Sequence, residues 1–163
     1  MPIESVASQF GRIEIHWNPD ALGVLADGSR VQGAVTLLNL RKGRGATAGK
    51  SLAVKHIKKW LAGDLDALLH IPVLQAGTAY KQEVWNAMRL IPAGTVASYA
   101  ELAAQTSSPK AVRATASTCA TNQIPLIIPC HRVVRSDGHV GNYAMGSTIK
   151  IALLQHEGIE ITS

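Results

Sequence analysis

The sequence predicts an α/β (α+β) protein in two parts. A small, strand-rich α/β lobe spans 1–76, and a mainly helical domain with a helix-turn-helix and a short strand spans 77–163. Three observations lead there. β-Formers and two-residue alternation fill the early segments, capped helical patterns fill the later ones, and two short helices flank a tight turn near residue 107.

Taken in order, Gly11 to Trp17 alternates, with Ile13, Ile15 and Trp17 on one face, and Val31 to Leu40 is rich in β-formers; both read as strands. A glycine-rich basic loop, Arg41 to Lys50, follows. Ser51 caps a helix with Val54, Ile57 and Leu61 on one face, ended by Gly63. Asp64 to Gly77 reads as a connector. Thr78 then caps a helix presenting Tyr80, Val84, Trp85 and Met88, stopped by Ile91-Pro92-Ala93-Gly94. Ser98-Tyr99-Ala100-Glu101 is a capping box that opens a short helix to about Gln105. Ser108-Pro109 places a cap and a first-turn proline, which predicts a second helix running to about Ala120. Its Ala111, Ala114, Thr115, Ala116, Ser117, Thr118 and Ala120 are all small, which allows a close approach by another backbone. Ile124 to Ile128 reads as a short buried strand closed by Pro129, with Cys130 where it stops. Val133-Val134 is extended, Ser136-Asp137-Gly138 is a turn, and Gly141 to Gly146 is a loop. Ser147 caps a last helix with Ile149, Ala152 and Leu153 inward.

Composition narrows the function classes. The chain has 163 residues, 47% of them hydrophobic and 17% charged, which suits a compact core and excludes wholesale disorder. No apolar run reaches the roughly 20 residues of a membrane span. Met1 to Trp17 lacks the continuous apolar stretch of a signal peptide, and two cysteines, Cys119 and Cys130, are too few for a disulfide framework. The expectation is a soluble protein of a reducing compartment. A net charge of +5 favours a polyanionic partner. Between Glu101 and Asp137 there is no acidic residue, whereas Lys110, Arg113, Arg132 and Arg135 all fall there. The few aromatic residues argue against a base-stacking platform for single strands.

Among the motifs, Pro129-Cys130-His131-Arg132-Val133 carries the most chemistry. A cysteine beside a histidine in an acid-free stretch is placed where a thiolate can be stabilised, and lowering its pKa by about two units needs roughly 2.7 kcal/mol. Neighbouring side chains on an extended chain point oppositely, so Cys130 and His131 pair only if the chain turns or a water bridges them. Glu157 lies at the unfavourable end of the last helix, consistent with a role in orienting a histidine. Cys119 reads as a packed thiol. Gly45-Ala46-Thr47-Ala48-Gly49-Lys50-Ser51 resembles a phosphate-binding loop, but only three residues separate its glycines and Arg44 holds the required glycine position, so nucleotide binding is not expected. His16, His56 and His70 have no ligand spacing, and no metal site is predicted.

Pro129-Cys130-His131-Arg132-Val133 resembles the active-site signature of the O6-alkylguanine-DNA alkyltransferases, the methylated-DNA–protein-cysteine methyltransferases. Ordered matches run over about 77–158: Val84-Trp85, Ile91-Pro92-Ala93-Gly94, Ser98-Tyr99, Lys110-Ala111-Val112-Arg113-Ala114, Asn122, Gly141-Asn142-Tyr143 and Leu153-Leu154 through Glu157. The first lobe resembles the family's variable N-terminal lobe, ribonuclease H-like, in general plan only. The resemblance implies that Cys130 accepts the alkyl group, that His131 takes its proton through a water, and that Glu157 orients His131. It makes Asn122 a hinge brace and gives Tyr99 a part in flipping the nucleotide and stabilising the guanine leaving group. It places Arg113 in the vacated base stack, with Lys110, Ala111, Ala114, Thr115 and Arg132 also toward DNA. Around the base it places Tyr99, Val133, Tyr143, Ala144 and Met145, the Cys130 and Val133 backbones reading the exocyclic amine and the Ala144 amide binding O6. The implied partner is double-stranded DNA bearing O6-alkylguanine (and O4-alkylthymine), bound through the minor groove by a monomer with no cofactor. The implied location is the cytoplasm, or the nucleus in a eukaryote. Three other readings remain at this stage: a binding-only relative, a helix-turn-helix regulator, and a cysteine hydrolase using Cys130, His131 and Glu157.

Overall fold

The computed structural model describes residues 2–43 and 49–163. The chain is a mixed α/β protein, as its sequence predicts, and divides into two compact units, Met1–Gln75 and Ala76–Ser163.

The first unit is an antiparallel sheet in the order β1-β2-β3, made of β1 (Ile3–Ser8), β2 (Gly11–Val24) and β3 (Arg30–Arg41). Alternation places Ile13 and Ile15 inward, opposite Leu40 and Leu38 of β3. β2 outruns the predicted strand because its ladder lapses between Asn18 and Leu22; Pro19 falls in that gap, where no amide is needed for pairing. β1 has no strong sequence signal, since Val6 is its only buried residue. Ser51 caps α1 (Leu52–Leu61), its hydroxyl accepting from the Val54 amide at 3.3 Å, and α1 buries Val54, Ile57 and Trp60.

The segment read as a connector is instead part of the first unit. It contains a 3-10 turn, Ala67–His70, and Val73 exchanges backbone hydrogen bonds with Val24 at 2.9 and 3.0 Å. Most of the basic loop and of the phosphate-loop look-alike, residues 44–48, lies outside the described residues. At its C-terminal flank the Glu4 carboxylate accepts the amides of Lys50 and Ser51 at 2.9 and 3.3 Å. A Cβ on Gly49, at φ +110°, would overlap that carboxylate.

The second unit carries α2 (Ala79–Arg89), β4 (Ala97–Ser98), α3 (Tyr99–Ala104), α4 (Val112–Ala120), β5 (Val133–Val134) and α5 (Ser147–His156). Thr78 caps α2, and the Ser98–Glu101 capping box is complete in both directions. β4 and β5 pair in parallel, which sets Tyr99 beside the segment that follows Cys130. The helix-turn-helix of α3 and α4 is anchored on α2. The Tyr80 hydroxyl bonds the hydroxyls of Thr106 at 3.2 Å and Thr115 at 2.9 Å, and Glu83 accepts from the Ser107 amide and hydroxyl.

Three sequence expectations are corrected here. α4 begins at Val112, not at Pro109: Ser108–Ala111 forms a turn closed by the Ala111 amide on the Ser108 carbonyl at 3.0 Å, with Pro109 at the position such turns favour. Residues 124–128 are not a strand. Leu126 takes a left-handed φ of 75° and the Ile128 amide returns to the Ile124 carbonyl at 3.0 Å, so this apolar run marks burial, not pairing. In α5 the cap position is Gly146, and the residues turned fully inward are Lys150, Leu153 and Leu154.

Replacing Tyr80 by Phe keeps the ring and removes the hydroxyl shared by Thr106 and Thr115. Urea unfolding should show a loss of about 1–2 kcal/mol. An unchanged midpoint would mean that the turn is held without it.

Candidate active site

Residues 122–132 are folded by one side chain. Asn122 Oδ1 accepts the Ile124 amide at 3.1 Å, and Nδ2 donates to the Ile128 carbonyl at 2.9 Å and to Cys130 Sγ at 3.4 Å. The amide thus closes its own loop and touches the thiol at the loop's end. Cys130–Arg132 is a 3-10 turn, not a strand end, held by the Arg132 amide on the Pro129 carbonyl at 2.9 Å.

That turn sends Cys130 and His131 to different places. Cys130 is one of the residues lining a cavity of about 510 Å³, along with Tyr99, Cys119, Tyr143 and Ala144. His131 is fully buried, its Nε2 2.9 Å from Glu157 Oε1, while its Nδ1 is buried with no protein partner among the described residues. Glu157 also receives Arg132, Nε to Oε1 at 3.0 Å and Nη2 to Oε2 at 2.6 Å, and Arg132 Nη1 donates to the Ile91 carbonyl at 2.8 Å. Burial alone would push the Glu157 carboxyl up. The bonds from Arg132 and His131 outweigh it and bring the pKa down to about 2. With Glu157 ionised, Nε2 of His131 donates and Nδ1 is the basic nitrogen. Burial lowers the His131 pKa and raises that of the Cys130 thiol, so both groups are neutral near pH 7.

Lys150 belongs to this site and was not singled out from the sequence. Its buried Nζ donates to the carbonyls of Val133 at 2.6 Å and Asn142 at 3.2 Å, and burial takes its pKa down to about 8. Residues 150, 153, 154 and 157 share one face of α5 by helical spacing. Placing the apolar pair Leu153-Leu154 inward therefore places Lys150 and Glu157 inward too.

The α4 residues separate into two faces. Thr115, Thr118 and Cys119 are buried, while Arg113, Ala114, Ser117 and Ala120 are exposed. Ala116, Ser117 and Ala120 also line the cavity, so an exposed face of small side chains leads from Arg113 to the cavity. Lys110 is exposed on the preceding turn and Ala111 is half-buried. Two expected DNA contacts are corrected. Thr115 is buried, its hydroxyl donating to the Ala111 carbonyl at 2.8 Å. Arg132 is buried against Glu157 and Ile91, so its guanidinium is not offered at the surface to a phosphate. Met145 is half-buried and is not among the residues lining the cavity, and the Val133 carbonyl is already engaged by Lys150. Among the described residues no group of three or more metal-ligating side chains converges, and no helix is long and apolar enough to cross a membrane.

Residues 79–159 match the family described as 6-O-methylguanine DNA methyltransferase, DNA binding domain. The second unit belongs to this family. It is 46% identical over 105 residues to the bifunctional transcriptional activator/DNA repair enzyme Ada of Escherichia coli, an overlap covering 63% of this chain and 30% of that protein. It is also 46% identical over 92 residues to the methylated-DNA–protein-cysteine methyltransferase of Rattus norvegicus, covering 56% of this chain and 44% of that one. The chain thus spans less than half the length of these curated relatives. Among solved structures it is similar to Mycobacterium tuberculosis OGT in complex with DNA, with a TM-score of 0.76 and 28% identity over 94% of this chain and 90% of that one. Cys130, His131, Asn122, Tyr99 and Glu157 all lie within the matched span.

The low pKa of Glu157 has a thermodynamic consequence. A carboxyl held at about 2 when folded and near 4.5 when unfolded stabilises fully above pH 4.5 and loses that contribution as pH falls toward 2. Urea unfolding across this window should show a loss of about 3 kcal/mol. Glu157→Gln should flatten that dependence while costing about 3–5 kcal/mol at neutral pH, because Arg132 is left buried without its counter-charge.

Proposed function

We propose that this protein repairs DNA by direct reversal, moving the alkyl group of O6-alkylguanine in duplex DNA onto Cys130 in a single irreversible turnover. The observation that carries the reading is the placement of Cys130. Its thiol lies on a cavity that an extruded base can enter, with the His131–Glu157 pair behind it and the exposed small-residue face of α4 beside it.

The chemistry follows from the geometry. An O6-alkyl group inside the helix stack is out of reach of a 5% exposed thiol, so the nucleotide must leave the duplex, at a cost of a few kcal/mol. Small side chains on α4 suit close entry into the minor groove, and exposed Arg113 is placed to fill the vacated stack. The Cys130 proton passes to His131 Nδ1 through a water. The sulfur lone pair forms an S–C bond to the alkyl carbon as the C–O6 bond breaks, and the released electron pair goes to guanine. The Tyr99 hydroxyl and the Ala144 amide, the latter toward O6, stabilise that developing charge as hydrogen-bond donors. The guanine anion then takes up, through water, the proton that His131 received from sulfur. O4-alkylthymine offers the same alkyl–oxygen bond and is a second substrate in this scheme. The thioether has no carbonyl for water to attack, so Cys130 is not regenerated. A cysteine hydrolase with the same residues would turn over repeatedly on acyl substrates.

Mixing the protein with an O6-methylguanine duplex should place one methyl per molecule on Cys130, read by intact mass and peptide mapping. Multiple turnover, or a methyl elsewhere, would sink the proposal. Cys130→Ala should abolish transfer while leaving duplex binding within about twofold; loss of both would move the site elsewhere. Arg113→Ala should slow repair of duplex by about tenfold or more and leave single-stranded substrate nearly unaffected. Equal slowing on both would remove its assigned role.

A further inference from the structure

Arg132 stands next to the proposed proton acceptor, yet it touches neither the cavity nor the thiol. Its three donor nitrogens are all used inside the protein. Two form a fork on Glu157 and the third fastens the turn at Ile91. The fork fixes the plane of the carboxylate, so that Oε1 faces His131 Nε2 and accepts from both neighbours at 2.9 and 3.0 Å.

We propose that Arg132 is a positioning residue for alkyl transfer, an internal counter-charge that lets Glu157 orient His131 without drawing a proton onto it. This rests on the reading of His131 as the acceptor of the Cys130 proton.

The charge balance explains why a third partner is needed. A buried carboxylate facing an imidazole with no counter-charge favours imidazolium, and an imidazolium has no lone pair to accept a proton from sulfur. At His131 burial is the largest influence and disfavours imidazolium, Glu157 pulls the other way, and the Arg132 charge offsets part of that pull. The other groups facing this cluster point the same way. Lys150, from α5, adds positive charge that disfavours imidazolium. Tyr143, from the loop before α5, and Cys130, from the same turn as His131, are both held in their neutral forms by burial. The resting site is therefore a thiol beside a neutral imidazole. The proton leaves sulfur only as the alkyl carbon takes its electrons, so a nucleophile that can be used once is not kept as an exposed thiolate.

Two variants separate charge from shape. Arg132→Gln removes the counter-charge, and Arg132→Lys keeps it without the fork. Nitrogen-resolved NMR of the His131 ring, recorded against pH without DNA, reads the proton directly. In the unaltered protein His131 should be neutral and Nε2-protonated at about pH 7 and should titrate below a free histidine. In Arg132→Gln its titration should move up by about one pH unit, and in Arg132→Lys it should stay with the unaltered protein. Methyl transfer should follow. Below the shifted midpoint Arg132→Gln should be about tenfold slower, recovering at higher pH with every molecule still methylated. An unshifted His131 titration in Arg132→Gln, or slowing equal at every pH, overturns the proposal. So does a His131 midpoint at or above that of a free histidine in the unaltered protein, a result that needs no variant to fold. Absence of any transfer by the unaltered protein would instead count against the alkyl-transfer reading, since the NMR measurement uses no substrate.

Discussion

The carboxylate of Glu157, which closes α5 with no exposed side-chain surface, is bonded at once to His131 and Arg132. Much of the C-terminal unit is arranged by that junction. Through Arg132 it reaches the turn at Ile91 that ends α2, and through His131 it reaches the 3-10 turn that presents Cys130. A charge buried this completely would cost several kcal/mol alone, and only the joint arrangement of its partners makes it tolerable. The same interaction therefore braces the fold and sets the proton states of the site.

Around that junction, separate devices place the remaining groups. Asn122 folds the loop that delivers Cys130 to the cavity, and the parallel pairing of β4 and β5 brings Tyr99 to the same cavity. The anchoring of Thr106, Ser107 and Thr115 on Tyr80 and Glu83 of α2 fixes α4 from behind. With its back committed to buried hydrogen bonds, α4 is left to present Arg113 and the small residues on its outer side. In the proposed function, the surface offered to DNA and the reactive sulfur are thus built from different elements of one unit.

What the sequence disclosed follows the range of each interaction. Caps act within one helical turn, so Ser51, Thr78 and the Ser98–Glu101 box were legible and bond as expected. The Cys130-His131 pair and Glu157 stood out because their chemistry is unusual for their positions. Signals shared by two structures misled. Ser-Pro opens a turn as readily as a helix, and the apolar run Ile124–Ile128 is buried without pairing. The family resemblance placed Arg132 and Thr115 toward DNA, and the partners 25 and 35 residues away that hold them inside are not visible in a sequence. Lys150 was missed for the same reason. Its helical spacing with Leu153 and Leu154 was the signal that pointed inward.

The Lys150 amine has two carbonyl acceptors, on Val133 and Asn142, for three protons when charged. A neutral amine has two protons. Discharging it near pH 8 removes the one hydrogen that has no carbonyl to meet, so the strap joining β5 to the loop that follows Gly141 survives mild alkali intact. What changes there is electrical: the charge held against the carbonyl of Asn142, one of the cavity-lining residues, is lost.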